Sequence, residues 1–243
     1  MPAERSRWRR FLRSWRPWRK PGRYNYDRIT LSASDIEAKA YQRHLGGGAE
    51  QWDRRGRFQA FLLHTLGLQA GDRLLDAGCG PLRAGVHLIE ALEPSHYCGI
   101  DFNADFIKTA RHLVADNERL TAKAPRLECL ADFAFQRLAA PPFDWVLAFS
   151  VLNHCDAATR RVFFGNLPAV LAPHARVVIS HADWFEEGAL AGTPLELMRV
   201  LRTPAALAPG LDITEWRFAS PPEGKLFPIV VVTPAARAAT LPR

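Results

Sequence analysis

The stretch Asp72-Arg-Leu-Leu-Asp76-Ala-Gly78-Cys-Gly80-Pro-Leu-Arg-Ala-Gly85 runs from a short apolar strand through a glycine-rich turn into a helix. It constrains the fold more than any other feature of the chain. Gly78 and Gly80 can take backbone angles closed to other residues and let a ligand come against the main chain. The helix that follows presents free N–H groups to a negative or polar ligand group. Such a turn belongs at the carboxyl edge of an open parallel sheet, where ligands bind near the topological switch point.

The residues around it keep alternating. Arg73–Asp76, Tyr97–Asp101, Leu127–Leu130, Trp145–Phe149 and Ala175–Ser180 read as apolar strands. Arg83–Leu92, Ala104–Asp116 and Ala157–Leu171 read as helices, the last with Asp156 as its cap. Near-continuous apolar strands spaced by amphipathic helices indicate βαβ units in a parallel sheet covered on both faces, a doubly wound α/β domain. Past residue 184 the alternation loosens, with a helix expected around Leu195–Leu201 and strand-like segments at Asp212–Ala219 and Leu226–Val232. Upstream, Asp35–His44 and Arg55–Leu66 read as helices separated by Gly46-Gly47-Gly48, the second with Phe58, Phe61, Leu62 and Leu66 on one face. The chain thus divides into a tail over residues 1–33, a helical lead-in over 34–70 and one α/β domain over 71–243.

The net charge of +7 belongs to the tail. Residues 1–28 carry ten Lys/Arg against Glu4 and Asp27, a balance of +8, which leaves 22 basic and 23 acidic residues, a balance of −1, for the rest. The folded domain is near neutral, so a basic nucleic-acid-binding face is not expected of it. In the tail, Trp8, Phe11, Leu12 and Trp15 fall at helical spacing with arginines between them, and Pro17 and Pro21 limit any helix to about two to three turns. A disordered, solvated segment is the plain expectation. The partner that residues 5–23 fit best is an anionic membrane surface, with Trp rings at headgroup level and arginines on phosphates; a stacking grip on RNA fits less well. No apolar run reaches the roughly 18 residues of a membrane span, and no apolar region of signal-peptide type follows the first charges. A cytoplasmic protein, peripheral at the inner membrane surface where its tail engages, is expected. Cys79, Cys98, Cys129 and Cys155 lie far apart without zinc-type spacing, which fits reduced thiols and no metal.

Two classes of cofactor use a strand–glycine turn–helix. Dinucleotide folds need Gly-x-Gly-x-x-Gly, and Arg83 occupies the third glycine position here. Leu75-Asp76-Ala-Gly78-Cys-Gly80 instead resembles the first motif of the class I S-adenosylmethionine-dependent methyltransferases, Leu-Asp-x-Gly-x-Gly. Three further signals follow in that family's order. Tyr97-Cys-Gly99-Ile100-Asp101 ends a strand on a carboxylate placed to accept ribose hydroxyls, with Phe102 beside it for the adenine. Asp132-Phe133 stands where the family often has an acid for the adenine amino group and an aromatic for the ring. Phe143-Asp144-Trp-Val-Leu-Ala-Phe149-Ser150 resembles the fourth strand. The resemblance spans roughly residues 72–181. It implies a Rossmann-like, mostly parallel seven-stranded sheet with an N-terminal helical lid, and S-adenosylmethionine as cofactor. Asp76, Gly78, Gly80, Arg83, Asp101, Phe102, Asp132, Phe133 and Ser150 are its implied donor-binding residues. Gly78-Cys-Gly80-Pro-Leu-Arg83-Ala-Gly85, with Tyr41-Gln-Arg-His44 and Trp52 upstream, looks like a bacterial group of these enzymes whose loop reads Gly-Cys-Gly-x-Leu-Arg-x-Gly.

Methyl transfer requires a nucleophile held in line with an already activated methyl, and a base when the nucleophile must lose a proton. The loop after the fourth strand, Phe149-Ser150-Val-Leu-Asn153-His154-Cys155-Asp156, is the place for both. His154 is the candidate base because histidine titrates near neutrality. His181, with Asp183 to orient it, is the second candidate. Tyr41, His44, Trp52 and Asn153 are candidates for the lid and the acceptor side, against plain helix packing for the first three. Three absences narrow the acceptor. No Asn/Asp-Pro-Pro-aromatic motif follows the fourth strand, as base-modifying enzymes have. No Pro-Cys nucleophile appears there, and no cluster has metal-ligand spacing. The expectation is methylation of oxygen or nitrogen on a small molecule, possibly a saccharide or a lipid-linked intermediate. The competing readings are a nucleic-acid or protein methyltransferase gripping substrate with its tail, a non-catalytic methyltransferase-like binding protein, and a nicotinamide oxidoreductase.

Overall fold

A computed structural model of the chain describes residues 26–45, 48–138, 142–180, 182, 184–185, 187–201 and 229–235. Seven strands form one sheet: β1 Leu74–Ala77, β2 Tyr97–Asp101, β3 Arg126–Cys129, β4 Phe143–Ala148, β5 Leu171–Ile179, β6 Leu195–Leu201 and β7 Ile229–Pro234. Their order across the sheet is β3-β2-β1-β4-β5-β7-β6. The first five run parallel; β7 runs antiparallel to β5, and β6 antiparallel to β7. The order reverses between β1 and β4, so the connections leaving those strands part to opposite faces and open a crevice at their carboxyl ends.

Apolar runs make these strands because both faces are covered. Leu74, Trp145, Leu147, Val178 and Val231 enter one hydrophobic cluster with Phe58, Leu62, Leu63, Leu88 and Ile89 from helices. Their neighbours Leu75, Val146, Ala148, Val177, Ile179 and Val232 enter the opposite cluster with Phe135, Phe163 and Phe164. The period of two along each strand thus distributes one apolar run between two cores.

Seven helices are described: α1 Ala33–Glu37, α2 Tyr41–His44, α3 Ala49–Thr65, α4 Gly85–Ala91, α5 Ala104–Ala115, α6 Glu118–Ala122 and α7 Ala157–Asn166. Caps explain several starts. Ser32 and Asp35 form a reciprocal capping box on α1. Asn103 caps α5 and Asn117 caps α6. Asp156 caps α7 by accepting from the Thr159 N–H at 2.8 Å.

Three elements differ from the sequence reading. Leu195–Leu201 is a strand, not a helix: Leu195, Met198 and Leu201 imitate a helical stripe, but the segment pairs with β7 from Leu195↔Pro234 to Leu201↔Ile229. That partner lies far along the chain, and pairing overrides local spacing. The segment expected as one helix over Asp35–His44 is two helices, broken near Lys39 at φ 51°. The ordered lead-in also begins before position 34, because Tyr26–Arg28 form a 3-10 turn and Leu31 is buried beside Ile36, Tyr41, Trp52 and Phe106. Asp212–Ala219 and residues 5–23 lie outside the described residues. The four cysteines form no disulfide, and burial pushes the Cys98 and Cys155 thiols up to about 12.

Candidate active site

The turn after β1 takes its shape from left-handed backbone. Gly78 has φ 89°, Gly80 φ 52° and Leu82 φ 59°. The N–H groups of Gly78 and Cys79 both donate to the Ile100 carbonyl, at 2.8 and 2.9 Å, which binds the turn to the end of β2. The two glycines do different work. A Cβ on Gly78 would lie 2.3 Å from Val151 Cγ2, so this glycine lets the loop after β1 touch the loop after β4. A Cβ on Gly80 would meet nothing within 4 Å, so Gly80 faces open space.

Two carboxylates flank the turn. Asp76 is buried and accepts from the Tyr97 hydroxyl at 2.7 Å. Burial pushes its carboxyl up to about 7; the Tyr97 hydrogen bond and Arg83 oppose this, and Asp101 adds to it. Asp101 ends β2 and is also buried. Its Oδ1 accepts from the Asn103 N–H at 2.9 Å and its Oδ2 from the Gly80 N–H at 3.0 Å. Burial carries it up to about 6 against those hydrogen bonds.

Arg83 stands across the turn. Its guanidinium lies 5.3 Å from the Trp52 ring centroid and its Nη1 donates to the Leu45 carbonyl at 3.1 Å. Its Nε is buried with no hydrogen-bond partner. Burial, with help from Arg55, holds its pKa down to about 10, while Tyr26 and Asp76 raise it.

The other candidates separate into those at the crevice and those elsewhere. Ser150, at φ 61°, donates its N–H to Ser180 Oγ at 2.8 Å. Asn153 Nδ2 and His154 Nε2 lie 3.3 Å apart, and Asn153 Oδ1 is buried without a partner. Phe102 is half-buried after β2. Asp132 accepts from the Ala134 N–H at 3.2 Å and pairs with Arg137 at 3.2 Å, which orders the turn before residues 135–137. Phe133 is buried, with its ring edge-to-face on Phe163 at 5.1 Å, so it packs in the core. Tyr41 and Trp52 are buried against each other at 5.5 Å. Trp52 carries the Arg83 guanidinium 5.3 Å from its ring centroid, and His44 is exposed. His181 and Asp183 lie outside the described residues. No group of three His, Cys, Asp or Glu among the described residues could hold a metal ion.

Sequence reasoning missed Tyr26, Tyr97 and Asn103. Tyr26 places its ring edge-to-face on His154, with centroids 5.1 Å apart. Asn103 Nδ2 donates to the carbonyls of Tyr26 and Ile29, at 2.8 and 3.0 Å. Tyr97 read only as a strand residue. A tyrosine two strands' width of sequence away from an acid carries no local signal of a bond to it.

Residues 75–177 match the model of a family described as a methyltransferase domain. No curated protein matches the chain. Solved structures share its fold. The magnesium protoporphyrin IX methyltransferase of Synechocystis PCC 6803, with bound S-adenosylmethionine, is 14% identical over 93% of this chain and 91% of that one, at a TM-score of 0.54. A TehB-like S-adenosylmethionine-dependent methyltransferase of Corynebacterium glutamicum is 19% identical over 84% and 100%, at 0.53. The cyclase SpnF is 14% identical over 75% and 82%, at 0.52.

Proposed function

We propose that this chain, whose residues 75–177 match a methyltransferase-domain model, uses S-adenosylmethionine to methylate an oxygen or nitrogen of a small molecule. The carrying observation is a buried cation and a buried acid at the switch point. Arg83 keeps a buried Nε–H without an acceptor, and burial pushes Asp76 up to about 7 although Arg83 and the Tyr97 hydroxyl pull it down. A buried guanidinium with an unused N–H, within electrostatic reach of a buried acid, suits the zwitterionic head of an amino acid. Arg83 would take the α-carboxylate of the methionyl group and Asp76 its α-ammonium. Gly80 leaves the main chain open to the ligand, and Asp101 would receive ribose hydroxyl. Once bound, the cofactor supplies a methyl on a positive sulfur, activated for in-line displacement.

The protein's remaining task is to align the acceptor and take its proton. His154, in the 3-10 turn after β4, is the proposed base. It would accept the proton that the acceptor's hydroxyl or amine loses as it takes the methyl. Asn153 Nδ2, 3.3 Å from His154 Nε2, orients the ring. The near-neutral domain supports a small acceptor over nucleic acid. Asp132 and Phe133, engaged by Arg137 and Phe163, support a structural role more than adenine binding. We place the chain in the bacterial group with the Gly-Cys-Gly-x-Leu-Arg-x-Gly loop. The basic aromatic residues 5–23 would bring this cytoplasmic enzyme to an anionic membrane surface and to a saccharide or lipid-linked acceptor there.

One observation favours a second reading, binding without transfer: His154 Nε2, the atom that would take the proton, already lies beside the Asn153 amide. SpnF, a cyclase by name, has the same fold, so the fold alone does not fix the chemistry. Titration calorimetry with S-adenosylmethionine, S-adenosylhomocysteine and a nicotinamide dinucleotide tests the cofactor. Micromolar binding of the adenosyl compounds alone is expected; nicotinamide binding without them overturns the proposal.

A further inference from the structure

Residues 26–31 form a strap between Asn103, just past β2, and His154, in the loop after β4, and the Asn103 side chain makes two hydrogen bonds to it. Asn103 uses every hydrogen-bonding group it has. Its Oδ1 accepts from the N–H groups of Asp105 and Phe106, at 2.8 and 3.2 Å, and so caps α5. Its N–H donates to Asp101, the acid at the end of β2. Its two Nδ2 hydrogens go to the Tyr26 and Ile29 carbonyls. The strap is also tied by the Leu31 N–H to Asp105 Oδ2 at 3.2 Å, and Leu31 is buried, with Tyr26 and Ile29 packed against the same apolar cluster. The Tyr26 ring then falls on His154, and its phenol lies near enough to Arg83 to raise that group's pKa.

We propose that Asn103 is a positioning residue that holds Tyr26 against His154, making the N-terminal strap a wall of the acceptor site. The inference rests on the methyltransferase reading for its function, but the tether can be tested without an acceptor. Asn103 is one residue from Phe102 and two from Asp101, so the same side chain links donor-side and acceptor-side order. A serine at 103 would keep a good helix cap yet could not reach the strap. An aspartate would keep the cap and the shape while offering no N–H to donate.

The test compares wild type, Asn103→Ser, Asn103→Asp and Tyr26→Ala by hydrogen exchange and by the His154 imidazole NMR signals. The two lost bonds should speed exchange of the Ile29 and Leu31 amides by about tenfold or more, with α5 protection retained. The His154 ring signals should move in Asn103→Ser toward their positions in Tyr26→Ala, because both remove the Tyr26 ring current. Should Asn103→Ser fail to fold, Asn103→Asp carries the same comparison. S-adenosylhomocysteine should slow exchange of the strap in wild type and not in the Asn103 variants. Wild-type exchange and wild-type His154 signals in a folded Asn103 variant overturn the proposal. Failure of S-adenosylhomocysteine to bind wild type, with the tether intact, overturns the cofactor reading instead.

Discussion

Tyr97 and Asp76 meet inside the sheet, hydroxyl to carboxylate at 2.7 Å, on adjacent strands and beneath the ligand turn. Gly85 makes room for the pair, since a Cβ there would lie 2.7 Å from the Tyr97 hydroxyl. The third glycine of the stretch, two positions later than a dinucleotide motif requires, thus serves a hydrogen bond behind the turn. Tyr97→Phe leaves a buried carboxylate oxygen without its donor. The expected loss is about 1–3 kcal/mol of stability, larger at pH 8, where Asp76 is ionised, than at pH 5. Urea denaturation at both pH values measures it, and an equal loss at both would assign the effect to packing alone.

The same buried acids set a pH dependence. Folding raises Asp76 from 3.8 to about 7 and Asp101 from 3.8 to about 6. The folded state therefore binds these protons more tightly than the unfolded chain. Their contribution to stability is greatest near pH 4, falls as pH rises to about 7, and is level above that. A cationic ligand group beside Asp76 reverses the pull, so donor affinity should rise from pH 5 to pH 8 with release of protons. Calorimetry in buffers of different ionisation enthalpy reads the proton count. Asp76→Asn should flatten both profiles, and an unchanged profile in that variant would remove Asp76 as the titrating group.

Gly78 and Gly80 look equivalent in sequence and should not behave alike. Gly78→Ala meets Val151 at 2.3 Å with φ at 89°, so a loss of about 2–5 kcal/mol is expected from strain and overpacking. Val151→Ala should recover part of it. Gly80→Ala carries only the left-handed backbone strain, about 1–2 kcal/mol, because nothing lies within 4 Å. Its methyl instead projects into the open space proposed for the ligand, so it should weaken S-adenosylhomocysteine binding more than it lowers the melting temperature. Equal thermal losses in the two variants would contradict this division.

What the chain's own text reveals follows from the range of each interaction. The five parallel strands and the turn at Gly78-Cys-Gly80 are legible because apolar runs, glycines and caps act within a few residues. β6 is not, because its identity comes from β7, beyond residues 202–228. The core position of Phe133 is equally hidden: Asp132-Phe133 lies at the right place in the chain, but Phe163, thirty residues on, claims the ring. Tyr26 falls inside a segment whose arginines and tryptophans dominate its character. The Asn103 amide, the Leu31 burial and the Tyr26–His154 contact show that the strap folds onto the domain.

Asp101 and His154 should separate binding from turnover. Asp101→Ala removes the acceptor of the Gly80 and Asn103 N–H groups along with the proposed ribose contact. Affinity for S-adenosylmethionine should fall about tenfold or more, as expected for loss of a charge-assisted hydrogen bond. His154→Ala leaves the Gly80 and Asn103 hydrogen bonds to Asp101 in place, because neither involves residue 154. It should spare donor affinity while slowing methyl transfer about a hundredfold or more on the first acceptor found by screening oxygen and nitrogen nucleophiles with radiolabelled donor. Turnover equal to wild type would shift the base to another residue. Loss of donor binding would mean that the loop after β4 belongs to the donor site rather than to the acceptor.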